Sequence, residues 1–108
     1  MVSIKSFRDL ALSFPGVTEQ PHFEKTAFRS AKRIFATLSE DGKTACVKFS
    51  EIDQSVFCTH NDEVIFPVAN KWGKQGWTNI VLSQVRKSVL KDAMETAYNE
   101  SLSASPKR

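Results

Sequence analysis

Between Ile4 and Phe14 the apolar residues Ile4, Phe7, Leu10, Ala11 and Phe14 recur at spacings of three and four. That period places them on one stripe of an amphipathic helix. Ser3 or Ser6 caps its start, and Pro15-Gly16 stops it, because Pro lacks the next donor and Gly tolerates a left-handed exit. The pattern then shifts to period two. Thr26 to Ser30 reads as a short strand, and Arg33 to Ser39 alternates Ile34, Ala36 and Leu38 with Phe35, Thr37 and Ser39. Thr44 to Phe49 alternates Ala45, Val47 and Phe49 with Thr44, Cys46 and Lys48. Such alternation suits a sheet with one covered face. The connections are tight (Ala31-Lys32, then Glu40-Asp41-Gly42-Lys43), so consecutive strands are antiparallel neighbours.

Ser50 opens a second helix with Asp53 in capping-box position; Ile52 and Val56 are expected to face inward, and the helix ends near His60-Asn61. Val64 to Val68 reads as an edge strand, since Pro67 removes a ladder donor. Asn70 to Gly76 reads as a loop and Trp77 to Leu82 as a strand. A last helix runs from about Gln84 to Ser101, capped by Ser83, with Val85, Val89, Leu90, Ala93 and Ala97 on its inner stripe. The predicted order is α-β-β-β-α-β-β-α: an α+β two-layer sandwich with a mostly antiparallel sheet packed by helices.

The chain has 108 residues, 41% of them hydrophobic and 25% charged. These values suit one globular domain rather than a disordered segment, expected over residues 1–102 with a flexible tail at 103–108. The longest apolar run, Val64 to Ala69, is interrupted by Pro67, and a membrane span needs about 20 apolar residues. Lys5, Arg8 and Asp9 stand where a signal peptide would carry its apolar stretch, and the two cysteines form no CxxC pair. A cytoplasmic protein without membrane partners is therefore expected. The formal charge is only +3, but it is segregated. Lys25, Arg29, Lys32 and Arg33 lie in a stretch free of acidic residues, as do Lys71, Lys74, Arg86, Lys87 and Lys91. Segregated charge creates a local field for polyanions even at low net charge.

Several ordered motifs resemble one family. Phe14-Pro-Gly-Val-Thr-Glu19, Pro21-His-Phe, Phe28-Arg29 and Lys32-Arg-Ile-Phe-Ala-Thr-Leu38 are similar to segments of the MmcQ/YjbR-like proteins. Trp72-Gly-Lys-Gln-Gly-Trp-Thr78, Val81-Leu82 and Ala97-Tyr98 continue the series in order. The resemblance runs from about Phe7 to Tyr98. It implies a secretion-chaperone-like arrangement of α-β3-α-β2-α, in agreement with the order derived from periodicity. Members are described as DNA-binding, because that fold resembles the double-wing domain of a phage transcription activator. No catalytic motif comes with the resemblance. Arg33 departs from the Gly of the family's hairpin turn.

The residues favour the same chemistry. Lys71-Trp72-Gly73-Lys74-Gln75-Gly76-Trp77 interleaves cations for phosphates with aromatic faces for stacking or wedging. Its competing reading is a soluble loop whose indoles pack on the core. Arg29, Lys32 and Arg33 would form a wing that touches phosphates, or an ordinary charged turn. The first expectation is a non-enzymatic DNA-binding module that contacts the phosphate backbone through Arg29, Lys32, Arg33, Lys71 and Lys74, with Trp72 to stack or wedge. With about five phosphate contacts its Kd would be on the order of 10⁻⁴ to 10⁻⁶ M at physiological salt. The alternative is a protein-interaction module that recruits a protein partner or a second copy through Val64-Ile65-Phe66. His22 and Glu24 before the first strand, and Cys58 with His60, lack the spacing of a catalytic or zinc site. No cofactor and no metal are expected.

Overall fold

A computed structural model describes residues 2–22, 25–30, 33–60, 63–69 and 71–103, with only the backbone at His22, His60 and Ser103. Lys32, Glu24 and residues 104–108 of the expected tail lie outside the described residues. The order is α1 (Ile4–Leu12), β1 (Thr18–His22), β2 (Lys25–Arg29), β3 (Ile34–Leu38), β4 (Thr44–Lys48), α2 (Glu51–His60), β5 (Ile65–Pro67), α3 (Lys71–Lys74), β6 (Trp77–Val81) and α4 (Lys87–Ser103). Two elements are additions to the predicted order. The segment that holds His22 is strand β1, and part of the expected loop 70–76 is the single turn α3. The last helix begins at Lys87 rather than near Gln84, because residues 81–85 form a turn in which Val85 N donates to Val81 O.

The six strands form one antiparallel sheet in the order β1-β2-β3-β4-β6-β5. β5 is an edge strand, as Pro67 requires. Register assigns the two faces of the sheet. Phe28 pairs with Ala36, Ala36 with Val47, and Val47 with Thr78; all four side chains are fully buried. This face carries the helices. Phe7 of α1 meets Phe28 edge-on at 5.5 Å, and Phe57 of α2 stacks on Phe49 at 4.8 Å. Leu90, Ala93, Met94 and Ala97 of α4 join the same core.

A β-bulge interrupts the predicted alternation of β3. Arg29 pairs with Ile34 but Phe28 pairs with Ala36, so one strand holds an extra residue there. Phe35 and Ala36 therefore both enter the core, and Ile34 turns to the opposite face. Phe35 meets Phe14 at 6.2 Å and Tyr98 at 5.5 Å, while Phe14 stacks on Tyr98 at 4.8 Å. The Tyr98 hydroxyl donates to the Pro15 carbonyl and ties α4 to the turn after α1.

Two inward assignments are corrected. Ile52 and Val56 are 76% and 59% exposed, because α2 presents Gln54, Phe57 and Cys58 to the fold instead. Ile4 is also exposed, while Phe7 and Ala11 of the same stripe are buried. Among the described residues, no helix is long and apolar enough to cross a membrane.

Candidate nucleic-acid interface

Among the described residues no long helix is seen to pack on the second face of the sheet, although Ala27 and Thr37 on it are buried. Register sends Lys25, Ala27 and Arg29 of β2 to this side, with Ile34 and Thr37 of β3, Cys46 and Lys48 of β4, and Trp77 and Asn79 of β6. Its charged strand residues are all cations. Glu19 is the one carboxylate carried by any of the six strands, and it pairs with Phe28 on the helix side. There it forms a two-toothed ion pair with Arg8 of α1, with Arg8 Nη2 2.6 Å from Glu19 Oε1 and Nε 3.0 Å from Oε2.

The basic hairpin and the Trp-bearing segment lie at one end of the sheet. Arg29 pairs with Ile34, Lys48 with Trp77, and α3 leads into Trp77, so all of them gather where β2 ends and β6 begins. Three strand steps separate β2 from β6, about 14 Å at the usual strand spacing. Arg29 and Arg33 are exposed on the hairpin side; Lys71, Trp72 and Lys74 are exposed on the α3 side. Glu51 and Asp53 open α2 from the same end but belong to the helix layer. Lys87 and Lys91 do not join this group. They lie on α4, and Lys87 is near enough to Asp9 of α1 to help lower its carboxyl. Arg86 directly precedes the same helix.

Local geometry holds α3 in place. Gln54 Nε2 donates to Gly73 O at 2.8 Å, Trp77 O at 3.2 Å and Thr78 Oγ1 at 3.1 Å, which binds α2, α3 and β6 together. A Cβ on Gly73 would collide with the Val68 carbonyl. Gly76 has φ +107° and sits against the Phe49 carbonyl, so only a residue without Cβ fits. On the opposite side Ser30 N closes the hairpin on Arg33 O at 2.9 Å, and Ser101 Oγ of α4 donates to Ser30 Oγ at 2.8 Å. Both basic segments are thus anchored to the scaffold.

Between them lies a cavity of about 280 Å³ that composition and spacing did not signal. Trp72, Trp77, Val68 and Ile34 form its apolar walls. Thr37, Cys46 and Asn79 supply a polar floor, and Lys25 reaches it along β2. Cys46 Sγ donates to Asn79 Oδ1 at 3.0 Å. Burial pushes the Cys46 thiol up, and the nearby Lys25 charge and Thr37 hydroxyl only partly oppose this, so the sulfur stays protonated. Cys46 lies on the face of β4 opposite Val47 and lines the cavity. Trp72 is 50% exposed and Trp77 half-buried, so each indole presents surface here.

Among the described residues the remaining sequence candidates form no second site. Cys58 packs partly against the core, and the side chains of His22 and His60, like Glu24, lie outside the described residues. Among the described residues no three His, Cys, Asp or Glu side chains converge as metal ligands. Val64 and Ile65 are buried, so Val64-Ile65-Phe66 presents no continuous apolar surface.

The fold is similar to that of a crystal structure from Deinococcus radiodurans, the protein DR2400, described as a DUF419 domain. The TM-score is 0.77 at 18% identity, over 91% of this chain and 77% of that one. No match is found among curated proteins. The YjbR family model matches residues 12–100, which takes in every strand, the basic hairpin, both indoles and most of α4. With that span, the chain belongs to the YjbR family.

Proposed function

We propose that this protein is a non-enzymatic nucleic-acid-binding module that holds DNA phosphates along the open sheet face. One observation carries the reading: the second face bears Lys25, Arg29 and Lys48 with no strand carboxylate, and is flanked at one end by Arg33, Lys71 and Lys74. Cations of one sign beside the exposed indole of Trp72 and the half-buried one of Trp77 fit a phosphate backbone with bases close by. A duplex would meet the hairpin wing and the α3 corner as two points of contact about 14 Å apart. Lys32 stays part of the proposed wing by sequence alone.

The test is fluorescence polarisation of a labelled oligonucleotide across a salt series. Seven phosphate contacts, from these six cations and Lys32, give a slope of log K against log salt of about −4.9 to −6.3, depending on strandedness. Lys71→Ala with Lys74→Ala should lower the slope by about 1.4 to 1.8. Absence of binding at low salt, or an unchanged slope in the double variant, overturns the reading. The protein-interaction alternative now rests on exposed Ile52 and Val56 of α2. Salt-insensitive self-association without oligonucleotide binding would favour it.

A further inference from the structure

We infer that the cavity between Trp72 and Trp77 receives one unstacked, carbonyl-bearing base of a single-stranded segment. This rests on the reading of the open face as a nucleic-acid surface and assigns it a base-binding subsite. A stacked duplex offers only base edges in its grooves, whereas a recess walled by indoles is filled by a base that has left the stack. At about 280 Å³ the recess lies near the lower bound for ligand pockets and suits a single small ring system.

The floor selects the edge. Cys46 occupies Asn79 Oδ1 at 3.0 Å, so the Asn79 side chain presents its Nδ2 hydrogens. Lys25 contributes further donors and no acceptor. A donor-rich floor matches the two carbonyl oxygens of thymine or uracil. It disfavours adenine, whose amino group would find an acceptor only at the Thr37 hydroxyl. The phosphates on either side of the inserted base would then run toward Arg29 and Lys48 on the same face.

The test compares four labelled probes of equal length: oligo-thymidine, oligo-adenosine, an abasic single strand and a duplex. The chain has two tryptophans and both line the cavity, so intrinsic fluorescence reports its occupancy. Stacking of one base is worth about 5- to 150-fold in affinity. Oligo-thymidine should therefore bind about 5-fold or more tighter than the abasic strand, with saturable quenching that the abasic strand does not produce. Asn79→Ala and, as a second variant that removes the other donor facing the base, Lys25→Met should each shrink the preference for thymidine over adenosine. Salt-dependent binding of the abasic strand should survive Asn79→Ala. Equal affinity for the thymidine and abasic strands overturns the base pocket while leaving the phosphate surface intact. Equal quenching by thymidine and adenosine strands overturns the carbonyl preference. Failure of every probe to bind overturns both the pocket and the surface.

Discussion

The Arg8–Glu19 pair ties α1 to the first strand through a guanidinium with two teeth on one carboxylate. Hydrogen bonds from Arg8, with its charge, hold the Glu19 carboxyl below its ordinary range against a smaller opposing effect of burial. A carboxyl lowered in the folded state stabilises the fold above its unfolded value and loses that contribution as pH falls through the folded one. The Glu19 part of the stability should thus be full at pH 6 and decline below about 4.3, the ordinary glutamate value. Asp9, lowered by Lys5, and Asp41, lowered by the Lys43 backbone N–H and the Ser39 hydroxyl, titrate in the same direction. Glu19→Gln should therefore reduce the acid-induced drop in urea midpoint between pH 6 and pH 3 without abolishing it. An identical drop in both proteins would show that the pair contributes nothing, as many exposed ion pairs do.

At the scale of elements, α2 is the instructive case. Ile52 and Val56 share one side of the helix, and spacing alone marks that side as the buried one. The start of the helix sets a different rotation. Ser50 Oγ accepts from Asp53 N at 3.1 Å, Phe57 is drawn onto the ring of Phe49, and Gln54 finds three acceptors on α3 and β6. Together these hold the Gln54–Phe57 side inward and turn the two aliphatics out. Val56→Glu should therefore change stability by no more than about 0.5 kcal/mol. Phe57→Ala should cost about 3 kcal/mol through lost packing on Phe49. Urea midpoints decide between the two rotations, since an inward Val56 would reverse that ranking. β1 escaped periodicity for a related reason: Thr18 to His22 lacks alternating hydrophobics, and the segment is a strand because β2 pairs with it. Pro21 is tolerated there because β1 lies at the sheet's edge.

At the scale of the whole molecule, charge is sorted by layer. Lys25, Arg29, Lys48, Lys71 and Lys74 belong to the open face or its end, whereas Lys87 and Lys91 belong to α4 on the helix layer. The α4 layer and the open face lie on opposite sides of the sheet, and charges separated by more than about 8 Å are largely screened at physiological salt. Reversal of Lys87 and Lys91 to Glu should leave oligonucleotide affinity within about twofold at 150 mM salt. The same reversal at Lys71 and Lys74, equal in net charge, should abolish measurable binding. Equal losses from both pairs would mean that net charge, and not the open face, governs attraction. In sequence the two lysine pairs look alike, since both sit in one acid-free stretch. Packing of α4 on the opposite side of the sheet separates them.

Local chemistry alone determined the α+β class, the boundaries of most elements and the caps and turns that join them. Ser3, Ser50, Pro15-Gly16 and Asp41-Gly42 act within a few residues, and period-two alternation survives in any environment. Which parity of the strands met helices, and which stayed open, was decided only by assembly. The bulge at Phe28/Arg29 moved Ile34 from the expected core side, and bonds from Gln54 held α3 so that Trp72 stands beside Trp77. The cavity exists because β3, β4 and β6 bring Thr37, Cys46 and Asn79 into register, with Lys25 two residues from that row on β2, across more than fifty residues of chain. Contacts of that range leave no local period in the sequence, so tertiary structure had to reveal them.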